Sequence, residues 1–105
     1  MADATDSAVS GAGAILPVMK HATPVTLDAL EPLLAQVRAL GRLNEKKRGV
    51  FYRKSQAFLH FHEDPAGFFA DLRTGPAWSR LPVNSAKERR ALIAAIRAQF
   101  GSDSQ

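Results

Sequence analysis

Apolar and polar positions alternate with helical spacing in the second quarter of the chain. Leu30, Leu33, Leu34 and Val37 fall at i, i+3, i+4 and i+7, which predicts an amphipathic helix. Thr26 or Asp28 is suited to cap its start, and Gly41 to end it. Residues 1–24 show no such period and are rich in small polar residues, so we expect them to form a disordered tail.

From Val50 to Arg73 the pattern changes to a period of two, which is typical of strands. A turn at residues 63–67 separates two strands. We also expect an earlier strand at Val50–Arg53 and a short strand at Trp78–Val83, which must lie at the sheet edge because it contains Pro82. Pairing apolar positions predicts a core face of Ala57, Leu59, Phe61, Phe68, Ala70 and Leu72. The opposite, open face then carries Phe58, His60, His62, Phe69, Asp71 and Arg73, and the earlier strand adds Phe51 and Arg53.

A second helix is predicted at the end of the chain. Ser85 to Glu88 matches a capping box, Leu92, Ile96 and Phe100 form an apolar stripe, and Gly101 ends the helix. The predicted fold class is α+β: an N-terminal helix, a three- or four-stranded antiparallel β-meander and a C-terminal helix, with both helices on one face of the sheet. Residues 25–101 form one domain, and residues 102–105 are a disordered C-terminus.

Composition excludes several classes of site and compartment. The 105 residues include no cysteine, which excludes disulfides, thiolate nucleophiles and cysteine zinc sites. The start of the chain lacks the positive charge and long apolar run of a secretory signal, and no apolar stretch is long enough to span a membrane. We therefore expect a cytoplasmic protein without a membrane partner.

The positive charge is concentrated in one segment. The net charge is +4, and the segment from Arg42 to Lys54 holds six basic residues and one acidic residue, Glu45. Such a cluster attracts polyanions, although most charge clusters are simply solvated surface.

The open face and the basic segment together predict a binding module. Phe51, Phe58 and Phe69 would stack on the bases of single-stranded nucleic acid, while Arg53, Arg73 and the loop of Lys46, Lys47 and Arg48 contact its phosphates or another polyanion. Exposed phenylalanines also favour a competing interpretation, in which a homodimer or the chain's own tail covers the face.

An alternative site lies on the same predicted face. His60 and His62 are separated by one residue, so both imidazoles point to one side of a strand, and Asp71 is placed to join them as a metal ligand. Alternatively, His60 or His62 would serve as a general base for hydrolysis, oriented by Asp71, but no nucleophile motif accompanies them. The enzymatic interpretation is therefore unsupported, and the sequence predicts no cofactor.

The segment GVFYRKSQAFLHFHEDPAGFFADLR, residues 49–73, resembles a group of short bacterial proteins of unassigned function. The resemblance extends over about residues 26–100 and implies a compact bacterial α+β domain. It implies no activity and no catalytic residue.

Overall fold

The computed structural model describes residues 20–101. They form an α+β fold with a six-stranded antiparallel sheet and a C-terminal helix. The elements in chain order are β1 (Lys20–His21), α1 (Pro24–Ala29), α2 (Glu31–Ala39), β2 (Asn44–Lys47), β3 (Val50–Arg53), β4 (Gln56–Asp64), β5 (Gly67–Thr74), β6 (Ala77–Pro82) and α3 (Ala86–Gly101).

The sheet is a meander with one additional strand. Strands β2 to β6 lie in sequence order, and β1 pairs with the second half of β4, on the edge whose first half pairs with β3. Leu59 pairs with Leu72 and Phe61 with Ala70, and all four are buried. The predicted register of β4 and β5 is therefore confirmed.

A β-bulge in β4 changes the faces at the start of the strand. Phe51 pairs with Leu59 but Tyr52 pairs with Ala57, so Phe58 is the additional residue. A bulge of this kind lets two consecutive side chains lie on one side of a sheet. Phe58 and Leu59 both belong to the core, whereas Ala57 is only partly buried.

The sequence predicts three or four strands, and residues 20–101 form six. β2 was missed because Asn44–Lys47 is entirely polar, which is typical of an exposed edge strand. β1 was missed because a two-residue strand has no detectable period. Of the predicted tail, Lys20–His21 form β1 and Pro24 begins α1; residues 1–19 and 102–105 lie outside the described residues.

Two short helices occupy the region where the pattern predicts one. Thr23, rather than Thr26 or Asp28, caps the first of them, since its side-chain oxygen accepts a hydrogen bond from the Thr26 amide. The helices separate at Leu30, just before Pro32, whose ring prevents a continuous hydrogen-bonding pattern.

The hydrophobic core joins the helices to the sheet. Its helical members are Leu33, Leu34 and Val37 of α2 and Leu92, Ile96 and Phe100 of α3. The predicted capping box is confirmed, because the Glu88 amide donates to Ser85 Oγ and the Ser85 amide donates to Glu88 Oε1, both at 3.1 Å. Among residues 20–101, no helix is long and apolar enough to cross a membrane.

Candidate functional site

All three histidines of the chain meet on the sheet face opposite the core. One ring nitrogen from each of His21, His60 and His62 lies within 4.8 Å of the other two. The ring of His21 stacks on that of His62 with centroids 5.0 Å apart, and the rings of His60 and His62 meet edge to face at 4.8 Å. Residues about 40 positions apart in sequence therefore form one cluster, which we call the histidine cluster.

Strand pairing brings His21 to the other two histidines. His21 lies directly opposite His62 in the antiparallel pair of β1 and β4. Glu63 holds the same region from the other side, because its Oε1 accepts hydrogen bonds from the Thr23 amide at 3.0 Å and from the hydroxyls of Thr23 and Thr26. Three donors on one carboxylate oxygen fix the start of α1 against β4, and the pKa of Glu63 is lowered, mainly by the Thr26 hydroxyl.

Asp71 and Arg80 lie behind the histidines on neighbouring strands. His60, Asp71 and Arg80 are paired across β4, β5 and β6, so their side chains share a face. Asp71 Oδ2 lies 3.0 Å from His62 Nε2. Arg80 donates to both oxygens of Asp71, at 2.7 and 2.8 Å, which holds the carboxylate in a fixed plane.

The contacts of His62 Nε2 cannot all be hydrogen bonds when the ring is neutral. Its neighbours are Asp71 Oδ2 and His60 Nδ1, the latter at 2.8 Å. An ionised carboxylate carries no hydrogen, and a neutral imidazole nitrogen carries at most one. In a neutral ring one of the two contacts therefore lacks a well-aligned hydrogen bond, unless a further proton or a metal ion lies between the atoms.

The other ring nitrogen of His62, Nδ1, does not compensate for the missing hydrogen bond at Nε2. His62 Nδ1 is buried and forms no hydrogen bond of good geometry with the described residues, although the backbone of Lys20 lies close enough to favour the charged ring slightly. A buried polar atom without a partner is uncommon in a native structure and marks a strained or functional position.

The local environment favours the neutral form of two histidines, His60 and His62, and the charged form of Asp71. Burial lowers the pKa of His62, and burial followed by the nearby His62 lowers the pKa of His60, although Asp71 acts in the opposite direction on both. Burial acts to raise the pKa of Asp71, but the hydrogen bonds from Arg80 and the electrostatic interactions with His62, Arg80 and His60 together outweigh it and lower that pKa. These shifts favour neutral rings at His60 and His62 next to a negative charge at Asp71.

Trp78 borders the histidine cluster on β6. Its ring lies 4.9 Å from that of His60 and is 41% exposed. The guanidinium of Arg73 lies 4.5 Å from the centre of the same indole and donates to the Ala57 carbonyl at 2.8 Å. Arg73 is therefore placed on the open face as predicted, but its charge packs on a ring and a backbone oxygen.

The structure corrects the predicted aromatic platform. Phe51 and Phe58 are 1% and 3% exposed and lie in the core, not on the open face. The bulge at Phe58 and the pairing of Phe51 with Leu59 account for this, and Arg53 follows Phe51 by lying over the rings of Phe58 and Phe100. Of the three predicted rings, Phe69 alone lies opposite His62 on the histidine side, and it is partly buried.

The predicted basic loop is partly neutralised within the protein. Arg48 forms ion pairs with Asp28 and Glu31, each at 2.8 Å. The ammonium group of Lys46 lies 5.3 Å from the centre of the Tyr52 ring. Lys47 is exposed and forms no ion pair with any residue from 20 to 101.

Sequence reasoning placed His60, His62, Asp71 and Arg73 on one face but missed three neighbours. Arg80 and Trp78 lie on β6 and could have been found by extending the predicted pairing of β5 by one strand. His21 carried no comparable signal, because its strand is two residues long.

Comparison of the chain with models of protein families, with curated proteins and with solved structures finds no match in any of the three.

Proposed function

We propose that the protein binds a divalent transition-metal ion, with Zn²⁺ as the reference ion, through His21, His60 and His62. The observation that carries this proposal is the convergence of the three imidazoles, with one nitrogen of each within 4.8 Å of the others. Zinc–nitrogen bonds of about 2.0–2.1 Å place two ligands of a tetrahedral ion about 3.3 Å apart. The cluster therefore needs only side-chain adjustments to hold the ion.

The charges around the cluster support the same proposal. A metal ion would be attracted to the lone pairs of the ring nitrogens of His60 and His62, and to the negative charge of Asp71, whose Oδ2 lies 3.0 Å from His62 Nε2. Burial favours neutral rings at His60 and His62, and neutral imidazole is the form that binds a metal. Asp71 supplies negative charge beside the cluster, with its position fixed by Arg80.

Three protein ligands leave one position of a tetrahedral zinc ion for water or for another molecule. This arrangement differs from closed structural sites, which use four protein ligands. The binding of single-stranded nucleic acid stays a prediction of the sequence, but two of the three phenylalanines on which it depends lie in the core. The histidine cluster is therefore the better supported site.

Isothermal titration calorimetry of the full chain, without an affinity tag and after EDTA treatment, tests the proposal. We expect one Zn²⁺ per chain and a rise in melting temperature with zinc concentration. His21→Ala, His60→Ala and His62→Ala should each weaken binding by more than the roughly 10–100-fold typical of an outer-shell change. Asn44→Ala, an exposed change on β2, is the control and should leave binding intact. Zinc binding that survives all three histidine changes would refute the site.

A further inference from the structure

A pocket of about 510 Å³ opens directly beside the histidine cluster. It lies where the edge of β4 passes from β3 to β1, and His21 and His60 form one end of it. Its sides are the apolar side chains of Leu27, Val50 and Ala57. Pockets of roughly 300–1,000 Å³ with mainly apolar walls and a few polar groups are typical of sites for small molecules.

The irregularities of the chain create this space. The bulge that takes Phe58 into the core leaves the small side chain of Ala57 and the ring of Tyr52 on the pocket wall. Gly49 adopts φ +81°, and a Cβ there would meet Leu27 Cδ2 at 2.7 Å. A side chain at position 49 would therefore clash with one wall of the pocket.

The charged residues that line the pocket are basic. Lys47 and Arg48 lie on its rim, and none of its lining residues within 20–101 is acidic. Arg48 is already paired with Asp28 and Glu31, but Lys47 has no such partner among the described residues. An anionic ligand would therefore meet a positive rim and a wall of imidazoles.

We infer that this pocket binds a small organic carboxylate with an apolar body, whose carboxylate lies at the end formed by His21 and His60. The apolar body lies against Leu27, Val50 and Ala57, where it is removed from water. This inference rests on the proposed function, since the carboxylate would occupy the position that three histidines leave open on the metal ion. Lys47 adds attraction from the rim.

The test compares two probes that share one apolar body. The acid is 3-phenylpropionate and the control is 3-phenylpropan-1-ol, each titrated into the full chain in its zinc-loaded and EDTA-stripped forms. Binding is followed by the amide NMR signals of Gly49, Val50 and Ala57. In the zinc-loaded protein the acid should bind at least about 10-fold more tightly than the alcohol, a difference of about 1.4 kcal/mol. Removal of the zinc should weaken binding of the acid and leave the affinity for the alcohol unchanged.

Two variants separate the pocket from the rest of the surface. Ala57→Leu adds bulk to the pocket wall and should lower the affinity for the acid at least about 10-fold. Ala94→Leu, the same change on the exposed side of α3, should have no effect. Lys47→Gln leaves the packing of the core intact, so it is informative even if the Ala57→Leu variant does not fold. It should lower the affinity for the acid but not for the alcohol.

The outcomes distinguish this inference from the proposed function. Zinc binding together with equal affinity for the acid and the alcohol would overturn the inference and leave the metal site in place. Failure of zinc to bind would refute the metal site. Titration of the acid into the zinc-free protein would then show whether the pocket binds it. Saturable shifts at Val50 and Ala57 that Ala57→Leu removes would support the pocket, and their absence would overturn it.

Discussion

The Nδ1 atom of His60 lies 2.8 Å from the Nε2 atom of His62, and the two residues are separated by Phe61 alone. Side chains on a strand alternate between faces, so the two imidazoles share one face while Phe61 lies in the core. His62 Nε2 also faces Asp71 Oδ2 at 3.0 Å, so this nitrogen has two polar neighbours within 3.0 Å.

The first prediction concerns Asp71, which we treat as a positioning residue. Asp71→Asn keeps the shape of the side chain but removes the negative charge beside His62. We expect zinc affinity to fall by roughly 10–100-fold, because the ion loses a negative charge close to the ring nitrogens that bind it. Competition with a chromophoric chelator measures the change.

Asp28→Asn is the matched control for Asp71→Asn. It removes one carboxylate of α1, which is paired with Arg48 away from the histidines. Its zinc affinity should equal that of the unmodified chain. Equal affinities for the two variants, both reduced, would mean that the effect comes from net charge and not from the position of Asp71.

Regular alternation explains which parts of the sheet the sequence could predict. Leu59, Phe61, Ala70 and Leu72 follow a strict period of two, and their predicted faces agree with the structure. Phe58 departs from this alternation because a bulge places one extra residue in the strand. The residue types of the strand do not reveal where the bulge lies. A single bulge therefore moved two of the predicted binding rings out of the candidate site, since Phe51 pairs beyond it.

The complete histidine cluster could not be predicted, for a different reason. His60 and His62 are local neighbours, and Asp71 joins them through the adjacent strand of a short hairpin. His21 reaches them through a contact between residues 41 positions apart, across a strand of two residues. The hydrogen bonds of Glu63 that fix this contact depend on tertiary structure and have no sequence period.

The second prediction tests the corrected position of Phe58. Truncation of a buried phenylalanine removes apolar contacts and leaves a cavity, so Phe58→Ala should lower the free energy of unfolding by about 3–5 kcal/mol. Phe69→Ala, at a partly buried ring on the other face, should cost less. Urea unfolding of both variants measures the difference. A larger loss for Phe69→Ala would place Phe58 outside the core.

The third prediction is a dependence of stability on pH in the absence of metal. Burial lowers the pKa of His60 and His62 in the folded protein, with His21 and Arg80 acting in the same direction and Asp71 opposing them. As the pH falls below about 7, the unfolded chain therefore takes up protons before the folded protein does. The free energy of unfolding should fall as the pH drops through about 6.5 and level off below the folded pKa values.

Urea unfolding at pH 7.5 and 5.5 in EDTA measures this loss. The double variant His60→Gln, His62→Gln should show a smaller difference between the two pH values. Carboxylates with lowered pKa, such as Glu45 and Glu63, lose their contribution only at more acidic pH, as the pH falls from about 4 through their folded pKa values. An unchanged pH dependence in the double variant would assign the loss to other groups.

The fourth prediction concerns the start of α3. Ser85→Ala removes the oxygen that accepts from the Glu88 amide and should lower the free energy of unfolding by about 1 kcal/mol. Ser79→Ala, at an exposed hydroxyl on β6, is a control for loss of a surface serine. Equal effects in urea unfolding would mean that the cap contributes nothing particular to the helix.

The fifth prediction joins the fold to the proposed metal site through Glu63. Oε1 of Glu63 accepts from the Thr23 amide and from two threonine hydroxyls, and this contact holds β1 next to β4. Glu63→Ala should therefore leave His60 and His62 in place but release His21 from its position opposite His62. We expect zinc affinity to fall toward that of His21→Ala. Glu63→Gln retains an oxygen that accepts hydrogen bonds, so it should restore much of the affinity.

A double-mutant cycle with His21→Ala separates positioning from general destabilisation. If Glu63 acts on the metal only by positioning His21, the variant lacking both residues should bind zinc no more weakly than His21→Ala alone. Full additivity of the two changes would show that Glu63 acts independently, through its charge or through the stability of β4. Calorimetry at a temperature where every variant is folded gives the four affinities, and urea unfolding in EDTA verifies that each one is folded.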